Sequence, residues 1–366
     1  MNDSVDRQWM ALALELAAGG AGNVEPNPLV GCVIVRNDEE IGRGFHAEFG
    51  GPHAEIAALD DCPTDPAGST VYVNLEPCCH HGKTPPCVDR LIQAGIARVV
   101  VAHRDPFPAV NGGGIEQLEQ AGIQVDTGIL EPAARHLNAP WLKRVVTGRP
   151  WVIGKWAMSL DGKIATCSGD SKWISGEASR REAHRMRGQV EAIAVGSRTA
   201  LLDNPLLTAR PAGSRIATRV VIDSGLILPA DSQLATTTDL APTVVITGTG
   251  ADPDKVTRLE DQGCQVVTVD GADRARRLDQ GLLELGRRQV TRVLVEGGGG
   301  LLGGLFDLGQ IDEVCVFVGN RIVGGGEAPG PVAGSGFQRI AESLQLTDLR
   351  HQSLEDDVLI RGRVAR

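Results

Sequence analysis

A histidine, a carboxylate two residues further on, and cysteines placed after a proline are the parts of a zinc centre that activates water. The stretch from His53 to Cys87 holds all of them. It opens with His53-Ala54-Glu55 and closes with Glu76-Pro77-Cys78-Cys79-His80-His81, then Pro85-Pro86-Cys87. Imidazole and thiolate both suit zinc, and three protein ligands leave the fourth tetrahedral position open for water. Bound zinc lowers the pKa of that water enough to make hydroxide available near neutrality. Glu55 would then carry the proton rather than bind the metal.

The ligand choice stays open on spacing alone, because Cys78, Cys79, His80, His81 and Cys87 are all at hand. A purely structural site would close four ligands around the ion and leave Glu55 without a task. A lone H-x-E or a lone Pro-Cys is a weak signal. Both together, on suitable elements, form the pattern of zinc deaminases. Those elements are legible. Gly50-Gly51-Pro52 precedes His53 and puts His53 and Glu55 near the start of a helix running through Ile56, Ala57 and Leu59. A strand over 70–75 delivers Cys78 at its C-terminal end. Pro85-Pro86 opens another helix with Cys87 in its first turn, where backbone N–H groups favour thiolate. Upstream, a helix over 6–18 and the rigid loop Pro26-Asn27-Pro28 lead into a strand over 29–35. A turn at Asn37-Asp38-Glu39-Glu40 and a return strand over 41–45 complete a hairpin that ends on His46. Strands over 97–102 and 123–127 flank a helix over 114–121, so the expectation is a sheet with helices on its faces. Cys32 and Cys62 stand alone and read as small apolar residues.

A chain of 366 residues is long enough for two domains. Its net charge of −10 argues against a nucleic-acid coat, which needs a basic face. A local basic pocket for one phosphate is still compatible with it. The polar, acidic start, Met1 to Asp6, has no apolar region of a secretory signal. No run approaches the roughly eighteen apolar residues that a membrane span needs. Eight cysteines in a chain this long are not a disulfide framework. The expectation is a cytoplasmic protein with neither membrane nor nucleic acid as partner.

Pro140 to Arg144, then Thr147-Gly148-Arg149-Pro150, mixes charge with turn residues and reads as a linker. The chain then begins again with a strand over 151–157 and a turn at Asp161-Gly162. Trp173 to Glu177 reads as a helix entry with Ser175 as its cap, and that helix carries Arg180, Arg181, Arg185 and Arg187. A strand over 190–195 and a polar loop from Asp203 to Arg210 follow. Further apolar runs at 219–222, 243–246, 265–269 and 292–295 alternate with helical stretches at 252–262 and 272–288. Strands over 314–318 and 358–364 close a second α/β domain. Its chemistry-bearing stretch is Val295-Glu296 followed by Gly297 to Gly304, after a strand and before a helix. The glycines let backbone amides approach a phosphate at a helix N-terminus. Gly298-x-Gly300-x-x-Gly303 fits the dinucleotide fingerprint only formally. It comes late in the chain, and the next strand lacks the terminal acid that would hold a ribose. The alternatives are a nucleotide-phosphate loop in a different α/β fold and a tight turn that packs helix on strand.

The residues so far carry a resemblance to the bifunctional riboflavin-biosynthesis deaminase/reductase family. Its carriers in the first half are Pro26 to Gly31, Gly44-Phe45-His46, Pro52 to Glu55, Glu76 to Cys87 and Asp105-Pro106-Phe107-Pro108. In the second half they are Ser159 to Gly162, Ser171 to Ser175, Asp203 to Arg210 and Glu296-Gly297-Gly298. Eight residues between Cys78 and Cys87 separate the first motif from deaminases of the Cys-x-x-Cys type. Cys79 stands where serine is commoner in the family, and Lys83 where arginine is common.

The resemblance implies an α/β chain with a cytidine-deaminase-like three-layer domain over 1–147. A dihydrofolate-reductase-like α/β domain follows over 148–366. It implies one zinc ion per chain on His53, Cys78 and Cys87, with Glu55 as proton carrier. Asn27 and His46 would hold the pyrimidine, and Lys83 a phosphate. NADPH would be lined by Ala157, Trp173, Thr199 and Asp203, by Ser224, and by Gly298, Gly299, Gly300, Leu301, Leu302, Gly303 and Gly304. Ser171, Arg187, Leu207, Arg210 and Glu296 would face a ribose-phosphate substrate, arginine being apt because it grips phosphate through two parallel hydrogen bonds. The implied partners are small phosphorylated pyrimidines and further copies of the chain. Two other classes remain: a nucleobase- or tRNA-type zinc deaminase with an unrelated C-terminal domain, and a zinc-stabilised binding module without turnover.

Overall fold

The computed structural model describes residues 3–80, 85–108, 110–213 and 215–365. The chain forms two compact units, Met1–Gly148 and Arg149–Arg366.

In the first unit, α1 (Asp3–Ala18) precedes a hairpin of β1 (Gly31–Arg36) and β2 (Glu39–Phe45). Then come α2 (Ala54–Asp61), β3 (Thr70–Val73), α3 (Cys87–Gln93), β4 (Arg98–Val101), α4 (Gly113–Gln120) and β5 (Gln124–Thr127). Among the described residues these strands form one sheet in the order β2-β1-β3-β4-β5. β1 runs antiparallel to both neighbours, whereas β3, β4 and β5 are parallel. Side chains alternate across a strand, and β1 shows it. Cys32 and Ile34 pack with Ala54, Ala58, Val88 and Leu91 on one face, while Val33 and Val35 pack with Met10 and Ala13 on the other. The sheet is thus a middle layer between two layers of helix. The hairpin turn is tighter than the sequence suggests. Asn37 and Asp38 make it alone, with φ of 54° and 62°, the left-handed pair that two-residue hairpins require. Glu39 and Glu40 therefore belong to β2.

Two helices end this unit, α5 (Glu131–Leu137) and α6 (Ala139–Thr147). The expected linker over 140–147 is thus helical. Pro140 sits in the first turn, where its missing N–H costs nothing, and Gly148 closes the helix at φ 69°.

The second unit opens with β6 (Trp151–Ser159), α7 (Glu177–Arg187), β7 (Ala192–Gly196), α8 (Ser197–Asp203) and β8 (Thr218–Ile222). It continues through α9 (Gln233–Thr236), β9 (Thr243–Gly248), α10 (Pro253–Asp261), β10 (Gln265–Val269) and α11 (Arg274–Arg287). It closes with β11 (Arg292–Val295), α12 (Gly299–Asp307), β12 (Glu313–Gly319), β13 (Leu346–Leu354) and β14 (Asp357–Val364). The sheet order among the described residues is β10-β9-β8-β7-β11-β6-β12-β14-β13. The strands from β10 to β12 are parallel, and β14 and β13 add antiparallel pairs at one edge. The chain thus lays strands outward from β7 to β10, then returns to insert β11 between β7 and β6. Both sheet faces are covered: Ile193 and Val195 face one core, Ala192 and Ala194 the other. This explains why the strands read as continuous apolar runs. Ser175 does not cap α7. Gly176 holds that position, and its N–H donates to Asp357 Oδ2 at 2.6 Å. No helix among the described residues is long and apolar enough to cross a membrane.

Candidate active sites

His53 is the residue immediately before α2, and Cys87 is the first residue of α3. Cys78 lies in the loop between β3 and α3. These elements bring His53 Nδ1 to 3.2 Å from Cys87 Sγ and 3.5 Å from Cys78 Sγ. The three ligand atoms lie within 4.8 Å of one another, the one such metal-capable cluster among the described residues. One imidazole nitrogen and two sulfurs at that separation fit a zinc ion with one position left open. The thiol of Cys87 and then His53 stabilise a thiolate on Cys78, holding it well below the ordinary thiol range, while the same bond pushes Cys87 upward. The backbone N–H of Cys87 also donates to Cys78 Sγ at 3.3 Å, so a helix-start donor with no intrahelical partner is satisfied by a ligand atom. Glu55, one residue into α2, is buried beside the cluster. Burial pushes its carboxyl up to about 7, with the nearby Cys78 adding and His53 opposing.

The neighbours of this cluster are fixed by polar bonds to backbone. His46 is buried, and its Nδ1 lies 2.8 Å from the carbonyl of Pro52, so Nδ1 carries the proton and donates. Its Nε2 is then an acceptor, met by Asn27 Nδ2 at 3.0 Å. The His46 ring stands edge-on to His53, with centroids 5.5 Å apart. Burial lowers the His46 pKa, which keeps the ring neutral. Cys79 turns away toward Gly113, and His80 lies against Phe107, so neither joins the cluster. His81 and Lys83 lie outside the described residues.

Glu76 is the functional neighbour that the sequence reading passed over. Its carboxylate is buried and accepts four backbone N–H groups. Oε1 takes those of Gly114 at 2.9 Å and Ile115 at 3.2 Å, and Oε2 those of Asp105 and Gly112, both at 3.1 Å. It thereby fastens the loop before α4 to the segment that carries Cys78. A glutamate directly before Pro77-Cys78 was the available signal, but its partners lie some thirty or more residues away, beyond any local pattern.

In the second unit a cavity of about 1370 Å³ runs along the carboxyl ends of β7, β8 and β11. That edge is where open α/β sheets bind ligands. Thr199, Asp203 and Ser224 line it, together with Gly298, Gly299, Gly300 and Leu301. Gly298 precedes α12, and its N–H donates to Thr199 Oγ1 at 3.1 Å. Ser171 lines this same cavity, although the resemblance gave it to the other substrate. Ala157, Trp173, Leu302, Gly303 and Gly304 are not among the lining residues. Trp173 is exposed with Arg180 over its ring. Leu302 is buried in the core, a side chain on Gly303 would strike the carbonyl of Ala333, and Gly304 lies against Leu278. The glycine-rich stretch thus divides, its first half facing the cavity and its second half packing.

Arg187 and Glu296 meet beside Lys155. Arg187 donates through Nε to Oε1 at 2.6 Å and through Nη2 to Oε2 at 3.0 Å, while Lys155 Nζ reaches Oε2 at 3.4 Å. Arg187 is therefore no solvated helix face. Burial raises the Glu296 pKa, but Arg187 and Lys155 outweigh it and hold the carboxyl at about 2. Leu207 is buried with φ of 53°, and Arg210 at the end of the same loop is exposed.

Residues 3–103 match the cytidine and deoxycytidylate deaminase zinc-binding region, and residues 150–360 match the RibD C-terminal domain. The chain is 40% identical over 355 residues to riboflavin biosynthesis protein RibD of Actinobacillus pleuropneumoniae, covering 97% of this chain and 94% of that protein. It is 42% identical to its counterpart in a Synechocystis species, covering 98% and 96%. Among solved structures, RibD of Acinetobacter baumannii superposes with a TM-score of 0.86 at 34% identity, covering 100% of both chains. The diaminohydroxyphosphoribosylaminopyrimidine deaminase / 5-amino-6-(5-phosphoribosylamino)uracil reductase of Thermotoga maritima gives 0.82 at 34%, again covering 100% of both.

Proposed function

Because the chain belongs to the RibD family of bifunctional riboflavin-biosynthesis enzymes, we propose which of its residues carry each of the family's two reactions. The protein is a zinc-dependent deaminase joined to an NADPH-dependent reductase, with a cytidine-deaminase-like domain followed by a dihydrofolate-reductase-like one. Its substrates are phosphorylated pyrimidines. Residues 1–147 remove an amino group from diaminohydroxyphosphoribosylaminopyrimidine by hydrolysis. Residues 148–366 reduce the ribosyl group of the product, 5-amino-6-(5-phosphoribosylamino)uracil.

His53, Cys78 and Cys87 hold the zinc, which when bound makes hydroxide available from water near neutrality. Glu55 takes the proton from the attacking water and returns it to the departing amino group, which leaves as ammonia. Asn27 and His46 orient the pyrimidine from one side, with their polar atoms already set by Pro52. In the reductase the hydride belongs to the cofactor, and the chain supplies alignment. The amides at the start of α12 suit its phosphates. Arg187 and Arg210 serve the substrate's phosphate end, with Glu296 holding Arg187 in place. The observation that carries this reading is the buried Glu55 beside a one-histidine, two-cysteine cluster.

An acidic net charge of −10 weighs against a nucleic-acid substrate, and the same composition suits the cytoplasm. Self-association through the second unit is supported by β13, an edge strand whose residues are almost all exposed, and by exposed Phe337, Ile340 and Leu349 nearby. The deciding experiment follows ammonia release and NADPH oxidation separately in wild type, Glu55→Ala and Arg210→Ala. Glu55→Ala abolishes ammonia release and leaves reduction of supplied deaminated substrate intact, whereas Arg210→Ala mainly weakens reduction. Loss of both activities in Glu55→Ala would overturn the two-site assignment.

A further inference from the structure

Two arginines that the motifs did not single out stand on the wall of the second unit's cavity. Arg274 and Arg277 occupy the first turn of α11, and both line the cavity with Ser224, two residues past the end of β8. Arg277 sits in a slot made by two glycines. A side chain on Gly248 would come within 3.1 Å of its Cδ, and one on Gly271 within 2.9 Å of its Cγ. Its Nη1 donates to the carbonyl of Gly271 at 3.0 Å, and its Nε lies 3.4 Å from Ser224 Oγ. Arg274 donates to the carbonyl of Gly300 at 2.9 Å. Among the described residues neither forms an ion pair. At the other end of α11, Arg287 and Arg288 both pair with Glu284.

The position says which phosphate such a cation serves. The amides at the start of α12 follow β11 and suit a pyrophosphate. Ser224 and Arg277 lie further out along the sheet, at the ends of β8, β9 and β10. Nucleotide sites on α/β sheets that prefer NAD hold the ribose 2′-hydroxyl with an acid at a strand end, whereas those that prefer NADP place an arginine there. The acid at this strand end is Asp223. It lies against the cavity but is fully withdrawn from water, with Oδ2 accepting the N–H of Leu228 at 2.8 Å and Oδ1 without a hydrogen-bond partner among the described residues. Beside it Ser224, which is exposed, and Arg277 also line the cavity.

We propose that Arg277, with Ser224, binds the 2′-phosphate of the cofactor and sets the preference for NADPH over NADH, with Arg274 as the adjoining cation. This rests on reading the cavity as the cofactor site. A planar guanidinium held at its stem and free of a carboxylate partner is preorganised for a phosphate dianion.

Calorimetric titration of the zinc-loaded full chain with adenosine 2′,5′-bisphosphate and with 5′-AMP tests this without turnover. Wild type is expected to bind the bisphosphate at least tenfold more tightly. Arg277→Ala is expected to weaken it by about ten- to a hundredfold while 5′-AMP stays within twofold, which also reports an intact fold. Arg277→Lys should restore part of the loss. Equal weakening of both ligands, or no change in either, overturns the assignment and leaves the cofactor cavity standing. Failure of wild type to bind either ligand removes the cavity reading itself, and the assignment with it.

Discussion

Arg187 and Glu296 form a two-bond fork across β11 and α7 with both side chains largely withdrawn from water, 15% and 7% exposed. A residue pair expected to face a substrate phosphate therefore neutralises itself first. Only the remaining cationic character of Arg187 and Lys155 is available to a ligand, because one carboxylate is shared between two cations. Removing the carboxylate leaves two buried cations unpaired, which costs about 3–5 kcal/mol. Glu296→Gln is expected to lower the stability of the second unit by that order in urea unfolding, and Arg187→Met/Glu296→Leu to recover only part of it, because Lys155 still lacks its partner. A loss below about 1 kcal/mol in the single variant would show that the fork is not a stability element.

The same fork fixes a pH dependence. The Glu296 carboxyl is held at about 2 against an ordinary 4.5, so the folded state binds its proton less readily than the unfolded chain does. The stabilisation is fully present above about pH 4.5, and it is lost as pH falls toward 2. Its size is about 3 kcal/mol as an order of magnitude. In unfolding measurements between pH 6 and pH 3, wild type should lose stability faster than Glu296→Gln. Parallel profiles would remove the carboxylate as the cause.

Glu76 does for the first unit what Glu296 does for the second, with backbone donors in place of cations. Replacing it by glutamine puts an amide NH₂ against two backbone N–H groups, and each unmet buried donor costs about 1–3 kcal/mol. Glu76→Gln is expected to loosen the segment that carries Cys78. Zinc should then be lost to a chelator at least tenfold faster, while reduction of supplied deaminated substrate is unchanged. Zinc retention equal to wild type would show that the loop before α4 does not position the ligand.

The sequence carried these sites unevenly. His53, Glu55, Cys78 and Cys87 were legible because their spacing sits on recognisable helix starts and a strand end. The core strands were legible as apolar runs because both sheet faces are buried. β13 gave no such signal, since nearly all its side chains are exposed and neither alternation nor an apolar run marks it. α6 was hidden by Pro140 and three charged or turn-forming neighbours that fit a helix end as well as a linker. Glu76, Arg274 and Arg277 were out of reach for another reason. Their partners come from distant segments, and Arg276, Arg287 and Arg288 make basic residues on α11 look ordinary.

The glycine-rich stretch supplies the last test, because fingerprint and structure divide it differently. A Cβ on Gly298 would meet only Thr199 Oγ1, at 3.4 Å, an ordinary contact at the cavity wall. A Cβ on Gly303 would lie 2.1 Å from the carbonyl oxygen of Ala333, a backbone atom that cannot swing aside. Gly303→Ala must therefore push α12 away from the segment over 333–334, and overpacking of this kind costs about 1–3 kcal/mol. Gly298→Ala should weaken adenosine 2′,5′-bisphosphate binding with a melting temperature close to wild type. Gly303→Ala should lower the melting temperature by several degrees and affect binding only through that loss. Selective loss of binding in Gly303→Ala at unchanged stability would return that glycine to the cofactor wall.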